Sequence, residues 1–280
     1  MERAAEAIAG GDVVAFTGAG ISAESGIPTF RDPGGLWSRF DPDRFGTWEG
    51  LSREAMTRPD GLAEFLAALR RAMSDAKPNP AHHALATLER AGLVNAVLTQ
   101  NVDGLHQEAG SEQVVEIHGS LLERRCLACG CAERVPRREF LAGLDHAIRG
   151  LRTAFVPSLL SLLPRCANCD APTRPGTVAF GEQVRDFERA EGLAGRCRTM
   201  LVVGTSGEVE PAAGLPRRAR ELGALVIHVG PGPTWVTADV EITAPAGRVL
   251  PELAARALAA TRAAGRSNWN PADAPWFTRE

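Results

Sequence analysis

The stretch that most constrains the fold of this chain is a short apolar run that leads directly into a glycine-rich turn. The run Val-Val-Ala-Phe at residues 13–16 predicts a buried β-strand. The next residues, Gly18–Ala23, form the pattern G-x-G-x-x-A. Such glycines permit a tight turn and a close approach of the backbone to a pyrophosphate, while the amides of the following helix face the phosphates. Taken alone the pattern is weak, since a chain with 29 glycines can contain it by chance.

The residues after the turn differ from those of an ordinary dinucleotide-binding unit, which continues into a long helix with an apolar face. Pro28 stiffens this segment because its ring fixes the backbone. The polar side chains beside the turn belong to Ser22, Glu24, Ser25, Thr29 and Arg31. We therefore interpret the segment as a polar loop that wraps a cofactor.

The composition excludes several classes of protein. The chain has 280 residues, of which 44% are hydrophobic and 23% charged, and this describes a globular protein with a large domain and room for a smaller one. A net charge of −3 gives no basic field for nucleic acid. No apolar run approaches the roughly 20 residues of a membrane span, and residues 1–6 lack the regions of a signal peptide. We expect a cytoplasmic protein with no direct nucleic-acid or membrane partner.

Predicted strands alternate with predicted helices, and the strands end in small or polar residues. Helices are expected at residues 2–9, 61–71 and 81–92. Strands are expected at 13–16, 95–99, 114–117, 200–203 and 225–229. This alternation predicts an α/β fold with a doubly wound parallel sheet. Ligands of such sheets bind outside the carboxyl ends of the strands.

Two C-x-x-C pairs predict a zinc site. Cys126 with Cys129, and Cys166 with Cys169, supply the four thiolates of a tetrahedral site that leaves no open position, so the zinc would be structural. The intervening residues 130–165 exceed the usual spacing, and the helical period of 137–163 favours a helical hairpin inserted between the pairs. The alternative is four buried structural thiols. Cys131 lies close by and could be mistaken for a ligand.

Three polar residues follow predicted strands and are candidates for chemistry. His118 can serve as a general base, because imidazole titrates near neutral pH, although a lone histidine is more often structural. Asn101 and Asp103 can cap a helix. They can also orient a water molecule and accept a hydrogen bond from a carboxamide, as nicotinamide recognition requires.

The run of residues 18–31 resembles the signature of the sirtuins, the NAD-dependent protein-lysine deacylases. Further motifs follow in the sirtuin order over roughly residues 8–260: Thr99–His106, Glu116–Ser120, the two C-x-x-C pairs, Arg174–Glu182 and Val203–Ser206. The resemblance implies a Rossmann-like NAD-binding domain (residues 1–31, 81–121 and 174–265) and a smaller domain. The latter would comprise a helical module (32–80) and a zinc module (122–173), with a C-terminal tail at 266–280. NAD and an acylated-lysine protein or peptide would meet in the cleft between the domains.

The resemblance also implies roles for individual residues. His118 would be the general base, with Asn101 and Asp103 beside it. The implied NAD contacts are Gly18, Ala19, Gly20, Ile21, Ser22, Ala23, Glu24, Ile27, Phe30, Arg31, Trp37, Gln100, Asn101, Val102, Asp103, Gly204, Thr205, Ser206, Gly230 and Ala246. The implied substrate contacts are Leu66, Leu69, Phe180, Gly181, Glu182, Gly207, Glu208 and Val209, the glycine-containing segments clamping the peptide as an added β-strand.

The implied reaction starts with attack of the acyl oxygen on C1′ of the nicotinamide ribose, which expels nicotinamide. His118 then deprotonates a ribose hydroxyl, and water finally releases free lysine and O-acyl-ADP-ribose. Because Leu66 and Leu69 occupy the positions where succinyl-preferring sirtuins carry Tyr and Arg, we expect acetyl or longer neutral acyl groups. ADP-ribosyl transfer or NAD hydrolysis on the same site, and a non-catalytic zinc-containing binding module, are the alternatives.

Overall fold

The computed structural model describes residues 1–29, 34–153 and 159–265. Within those ranges it contains nine strands. They are β1 Val13–Thr17, β2 Val94–Thr99, β3 Val114–Glu116, β4 Glu123–Cys126, β5 Ala132–Arg134, β6 Thr173–Pro175, β7 Thr199–Val203, β8 Leu225–Val229 and β9 Val240–Ile242.

The same ranges contain eleven α-helices, several of them a single turn. They are α1 Glu2–Ala9, α2 Leu36–Arg39, α3 Pro42–Phe45, α4 Trp48–Thr57, α5 Pro59–Asp75, α6 Pro80–Arg90, α7 Leu105–Glu108, α8 Arg137–Thr153, α9 Phe187–Ala194, α10 Gly214–Glu221 and α11 Ala246–Ala263. The predicted helices at 2–9, 61–71 and 81–92 are thereby confirmed, the first as predicted, the last to within two residues, and the middle one as part of a longer helix that ends four residues later. None of the helices in the described ranges combines the length and apolar character that crossing a bilayer requires.

Six strands form one parallel sheet in the spatial order β3-β2-β1-β7-β8-β9. When the six strands of this sheet are renumbered 1 to 6 in chain order, their spatial order is 3-2-1-4-5-6, which is the order of a Rossmann fold. The order reverses between β1 and β7, so the crevice for a ligand lies where these two strands end. The predicted doubly wound parallel sheet is confirmed.

The central strands are buried on both faces, which explains why they consist of continuous apolar runs rather than alternating ones. One face packs against α1, α6 and α11, through side chains such as Ile8, Leu85 and Leu253. The other face packs against α9 and α10, where Phe16 and Met200 are fully buried. Burial of these apolar surfaces is the main stabilising contribution to the sheet.

A second, smaller sheet has the antiparallel order β5-β4-β6. Beside it, α5 and α8 pack together in two apolar clusters, one around Phe65 and Ile148 and the other around Met73 and Phe140. The Arg70 guanidinium joins these helices by donating to both carboxylate oxygens of Asp145, at 2.5 and 3.0 Å. The long segment between the C-x-x-C pairs therefore shares its core with the helices of residues 34–80.

The segment directly after the glycine-rich turn is a loop and not a long helix, in agreement with the interpretation of its polar residues. It forms two 3-10 turns, Ala19–Ile21 and Ala23–Ser25. Gly26 then adopts a left-handed conformation (φ 84°) that ends any helix. The helical hairpin expected at 137–163 is wrong: in the described part of this segment, residues 137–153 and 159–163, α8 is accompanied by a 3-10 turn, Leu159–Leu162, and not by a second α-helix. Pro164 follows that turn closely and cannot sit inside a helix.

Candidate active site

The loops after β1 and β7 touch at the point where the strand order reverses. The Gly20 amide donates to the Gly204 carbonyl oxygen at 2.8 Å. A Cβ atom on Gly18 would lie 2.8 Å from that same oxygen, and one on Gly20 would lie 2.7 Å from the Gly204 Cα. Side chains are therefore excluded here by the neighbouring loop, which adds a second reason for the glycines beside the approach of a phosphate.

The buried side chain of Asn79 holds the first loop in place. It begins α6 by accepting a hydrogen bond from the Ala81 amide at 2.9 Å. Its Nδ2 atom donates to the Ile21 carbonyl oxygen at 2.7 Å and to Ser25 Oγ at 3.0 Å. The sequence signal for this contact is the Asn79-Pro80 dipeptide, which marks a helix start, but its partner lies almost 60 positions earlier in the chain.

Two polar residues after β2 meet the first loop in one hydrogen-bonded network, and a third contacts the loop after β7. Asn101 Nδ2 donates to the Gly18 carbonyl oxygen and to Ser22 Oγ, both at 3.1 Å. The Ser22 hydroxyl donates to Asp103 Oδ2 at 2.8 Å. Gln100 Nε2 reaches in the other direction and donates to Thr205 Oγ1 at 2.9 Å. The predicted strand-end residues are thus brought together as expected.

Asp103 is almost fully buried, and this burial raises the pKa of its carboxyl group. The opposing influences are the hydrogen bonds from the Leu105 amide, at 2.9 Å, and from Ser22, together with the charge of Arg137. Arg137 belongs to α8 and donates to the Asp103 carbonyl oxygen at 3.1 Å. The insertion therefore contacts the site directly, which its sequence did not indicate.

Two buried histidines beneath this network were not predicted. His82 Nε2 lies 3.4 Å from Ser22 Oγ, and His106 Nε2 lies 2.9 Å from Thr17 Oγ1, which donates to Thr99 Oγ1 at 2.8 Å. Burial lowers the pKa of His82 to about 2 and that of His106 to about 4, so both rings are neutral at physiological pH. A histidine within a helix carries no sequence signal that separates such a role from ordinary packing.

His118 lies at the end of β3, half-buried, with its ring held by one contact. Its Nδ1 atom lies 3.2 Å from the Gln100 carbonyl oxygen. Because a carbonyl oxygen only accepts, Nδ1 carries the hydrogen, and Nε2 is left with a free lone pair. Burial lowers the pKa of this imidazole, and the contact with Gln100 raises it by a smaller amount.

The site contains a cavity of about 990 Å³ that has a polar end and an apolar end. Gly18, Ser22, Asn101, Asp103 and His118 surround this polar end, together with Gly204, Thr205 and Ser206 after β7. The other end runs between α5 and α8 and is apolar, with Leu62, Phe65, Leu66, Leu69, Phe140, Leu144 and Leu162 in its wall. A large, mostly apolar cavity with a few convergent polar groups is typical of a ligand site.

The predicted substrate residues lie mainly at the rim of this cavity. Phe180 is 44% exposed, and its amide donates to the Gly46 carbonyl oxygen at 2.9 Å. Glu182 accepts two hydrogen bonds from Arg174, at 3.1 and 2.8 Å. The Val178 amide donates to the His118 carbonyl oxygen at 2.8 Å, so this segment runs directly beside the histidine. Val209 lies in the same cavity wall, on the segment that follows β7.

Several predicted site residues lie elsewhere or cannot be placed. Phe30 and Arg31 fall outside the described residues. Glu24 accepts a hydrogen bond from the Gly247 amide at 2.6 Å, at the start of α11. The predicted residues that do not line the cavity are Gly20, Ile21, Ala23, Glu24, Gly207, Glu208, Gly230 and Ala246.

Five cysteine sulfurs gather at the far end of the small sheet. The Sγ atoms of Cys126, Cys129, Cys131 and Cys166 all lie within 4.8 Å of one another. Cys169 Sγ lies 3.5 Å from Cys126 Sγ. A group of thiols at such distances fits the all-sulfur tetrahedral site of a structural zinc ion. The structure thus brings the four predicted ligands together and adds Cys131 to them.

Comparison with a family profile shows to which protein family this chain belongs. The profile of the Sir2 family matches residues 18–211. The chain belongs to the Sir2 family. Among its relatives, a protein of Desulfosudis oleivorans named NAD-dependent protein deacylase is 40% identical over 256 residues, covering 90% of this chain and 94% of the relative. A protein of Aeropyrum pernix with the same name is 45% identical, covering 82% and 85%.

Solved Sir2 structures share the fold of this Sir2-family chain. A complex of a Sir2 homologue with NAD has a TM-score of 0.75 at 34% identity and covers 93% of this chain and 95% of its own. The structure of Sir2Af2 bound to a myristoylated histone peptide has a TM-score of 0.70 at 34% identity, covering 94% and 98%. The resemblance seen in the motifs is therefore confirmed.

Proposed function

We propose that this chain removes acyl groups from protein lysines in a reaction that consumes NAD. The observation that carries the proposal is the common placement of His118, Asn101 and Asp103 around one cavity, beside the loops after β1 and β7. The family supports it, because its relatives are named NAD-dependent protein deacylases and a Sir2 homologue has been solved with NAD. The products would be nicotinamide and O-acyl-ADP-ribose.

NAD, the co-substrate, supplies an electrophilic ribose carbon with nicotinamide as its leaving group. The Gly18–Ser22 turn, with Arg31, would contact phosphates and ribose, and Gly204–Ser206 would hold the adenosine side. Ala19, Ile27, Phe30 and Val102 would line the nicotinamide pocket. The buried Asp103 carboxylate would accept hydrogen bonds from the carboxamide NH₂ group, because its Oδ2 has capacity beyond the bond from Ser22.

His118 would act as the general base. Its Nδ1–H is held by the Gln100 carbonyl oxygen, so the ring presents Nε2 with its lone pair to the cavity. Nε2 would take the proton of a ribose hydroxyl, and Asn101 would orient the water that completes the release. The oriented, neutral imidazole is the form in which a histidine can accept that proton.

The lowered pKa of His118 predicts the pH profile of the reaction. Burial disfavours the cation, so the neutral base persists below the usual value of about 6.5. The acid limb of kcat/KM, measured with an acetyl-lysine peptide that lacks histidine, should therefore have its midpoint below pH 6.5. A midpoint above that value would contradict the assignment of His118 as the base.

The apolar end of the cavity predicts selectivity among acyl groups. Leu66 and Leu69 line this end, while the Arg70 fork is occupied by Asp145. A succinyl carboxylate beside these leucines would receive no hydrogen bond from them or from the occupied Arg70, and burying it unpaired costs several kcal/mol. We expect kcat/KM for acetyl-lysine to exceed that for succinyl-lysine by about 100-fold or more. A matched variant, Leu69→Arg, should narrow this ratio, and faster succinyl removal by the unaltered chain would contradict the prediction.

The experiment that tests the proposed function measures nicotinamide release with and without an acetylated peptide. A deacylase releases one nicotinamide for each lysine uncovered and releases little without the peptide. Equal nicotinamide release in both reactions would instead indicate NAD hydrolysis. Transfer of the ADP-ribose mass to the peptide would indicate ADP-ribosylation. The segments around Gly181 and Val209, which flank the cavity, favour the first outcome because they can clamp a peptide.

The zinc ion would stabilise the small sheet and take no part in the reaction, since an all-thiolate set leaves no open position. We propose that the helical module (32–80) and the zinc module (122–173) form the smaller domain, because α5 and α8 share one core.

We also propose a cytoplasmic location for the chain. None of the six cysteines, which all lie within the described ranges, forms a disulfide, as expected in a reducing compartment.

A further inference from the structure

The zinc module brings five thiols to a site where a zinc ion takes four. Cys126 and Cys166 are buried, whereas Cys129, Cys131 and Cys169 are exposed. The sixth cysteine, Cys197, lies far along the chain, just before β7. One of the five thiols must therefore remain outside the coordination sphere of the metal.

The sulfur positions show which thiols compete. With Zn–S bonds of about 2.3 Å, the sulfurs of a tetrahedral site lie about 3.8 Å apart. Cys129 Sγ meets this spacing at 3.8 Å from Cys166 Sγ. Cys131 Sγ lies 3.2 Å from the same Cys166 Sγ, and Cys169 Sγ lies 3.5 Å from Cys126 Sγ. Cys131 therefore lies close to the sulfur of the buried Cys166, and Cys169 lies close to the sulfur of the buried Cys126.

The turn at residues 126–131 explains how Cys131 reaches the site. The Cys126 amide donates to the Cys131 carbonyl oxygen at 2.9 Å, which closes the turn between β4 and β5. Gly130 makes this turn possible with φ 71°, a conformation that favours glycine. The Ala128 and Cys129 amides both point at Cys126 Sγ at 3.4 Å. The backbone of this turn therefore holds Cys126 and Cys129 in place and returns Cys131 to the same sulfur cluster.

We propose that Cys131 and Cys169 are alternative fourth ligands of the zinc ion, with Cys126, Cys129 and Cys166 common to both ligand sets. Cys126 and Cys166 are assigned to both sets because they are the buried sulfurs around which the others gather. Cys129 is assigned to both because Asn168 Nδ2 donates to its sulfur at 3.6 Å, which holds it within the cluster. Either exposed thiol can then leave the metal and be replaced by the other without release of zinc.

Zinc content of purified variants tests this assignment independently of enzyme activity. Cys131→Ala and Cys169→Ala should each retain about one zinc ion per chain, because the other thiol completes the tetrahedron. The double variant should lose most of its zinc, as should Cys126→Ala, while Cys197→Ala serves as the matched control and retains it. Zinc loss from either single variant to the level of Cys126→Ala would overturn the proposal, and so would full zinc retention by the double variant.

Alkylation of the native, zinc-loaded Cys197→Ala chain gives a second test that does not depend on the folding of ligand variants. Iodoacetamide should add one label per chain while zinc is retained. Trypsin places Cys131 in the peptide 126–134 and Cys169 in the peptide 166–185, because cleavage follows Arg125, Arg134, Arg165 and Arg185 but not Arg174, which precedes Pro175. The label should be divided between these two residues. A label found on only one of them, no label, or several labels on zinc-loaded chains would contradict exchange between the two thiols.

Discussion

Replacing His118 with Ala is expected to lower the deacylation rate constant kcat by about 10²- to 10⁴-fold, the usual contribution of a positioned general base. The reason is geometric. The ring is fixed by the Gln100 carbonyl oxygen through Nδ1, and removal of the ring leaves no other imidazole facing the polar end of the cavity among the described residues that line it. The measurement is peptide turnover at saturating NAD and peptide.

The control for this variant is His146→Ala, which removes an exposed imidazole from α8. It should leave kcat unchanged. The thermal unfolding midpoint of His118→Ala should remain near that of the unaltered chain, because the ring is only half-buried and makes one hydrogen bond. A kcat for His118→Ala within about tenfold of the original would contradict its role as the base.

The second large effect is expected from Asp103, for which two substitutions separate binding from folding. Asp103→Asn keeps an acceptor oxygen for the Leu105 amide, and the Ser22 hydroxyl can turn to accept from the new NH₂ group. The variant should fold normally, but it loses the carboxylate that would hold the carboxamide of NAD. The loss of one charge-assisted hydrogen bond predicts a fall of about 10- to 100-fold in kcat/KM for NAD.

Asp103→Ala should behave differently, because it leaves the Ser22 hydroxyl and the Leu105 amide without their partner. Each unsatisfied buried donor costs about 1–3 kcal/mol in the free energy of unfolding, so urea denaturation should show a loss of about 2–6 kcal/mol. Asp60→Asn, at an exposed position in the first turn of α5, is the matched control. If Asp103→Asn retains the original kcat/KM for NAD, Asp103 has only the structural role of holding the loop.

The central sheet could be predicted from the sequence because its strands are buried on both faces. β1 and β7 are almost wholly apolar, β8 is interrupted only by the buried His228, and each of the three strands is followed directly by a glycine. β9 was not predicted, because it has only three residues and none of them is fully buried. The spatial order of the strands could not be predicted from local periodicity, because periodicity contains no information about which strands are neighbours. Its prediction requires the resemblance to a known family.

The candidate site was predictable where its residues follow strands, as Asn101, Asp103 and His118 do. It was not predictable where contacts join distant segments. Asn79 and His82 act on the loop after β1 from α6, and Arg137 reaches the Asp103 carbonyl oxygen from within the insertion. Spacing alone favours the two C-x-x-C pairs over Cys131, yet the turn at Gly130 returns Cys131 to the sulfur cluster. Spacing describes distance along the chain, whereas ligand choice depends on distances between sulfurs.

The measurement that tests the central claim most directly is mass spectrometry of an acetyl-lysine peptide incubated with this chain and NAD. We predict loss of the acetyl mass from the peptide together with the appearance of O-acetyl-ADP-ribose, both absent when NAD is left out. An unchanged acetyl peptide, with longer neutral acyl groups also left in place, would contradict the proposed deacylation. Removal of the acetyl group as free acetate without NAD would contradict it equally.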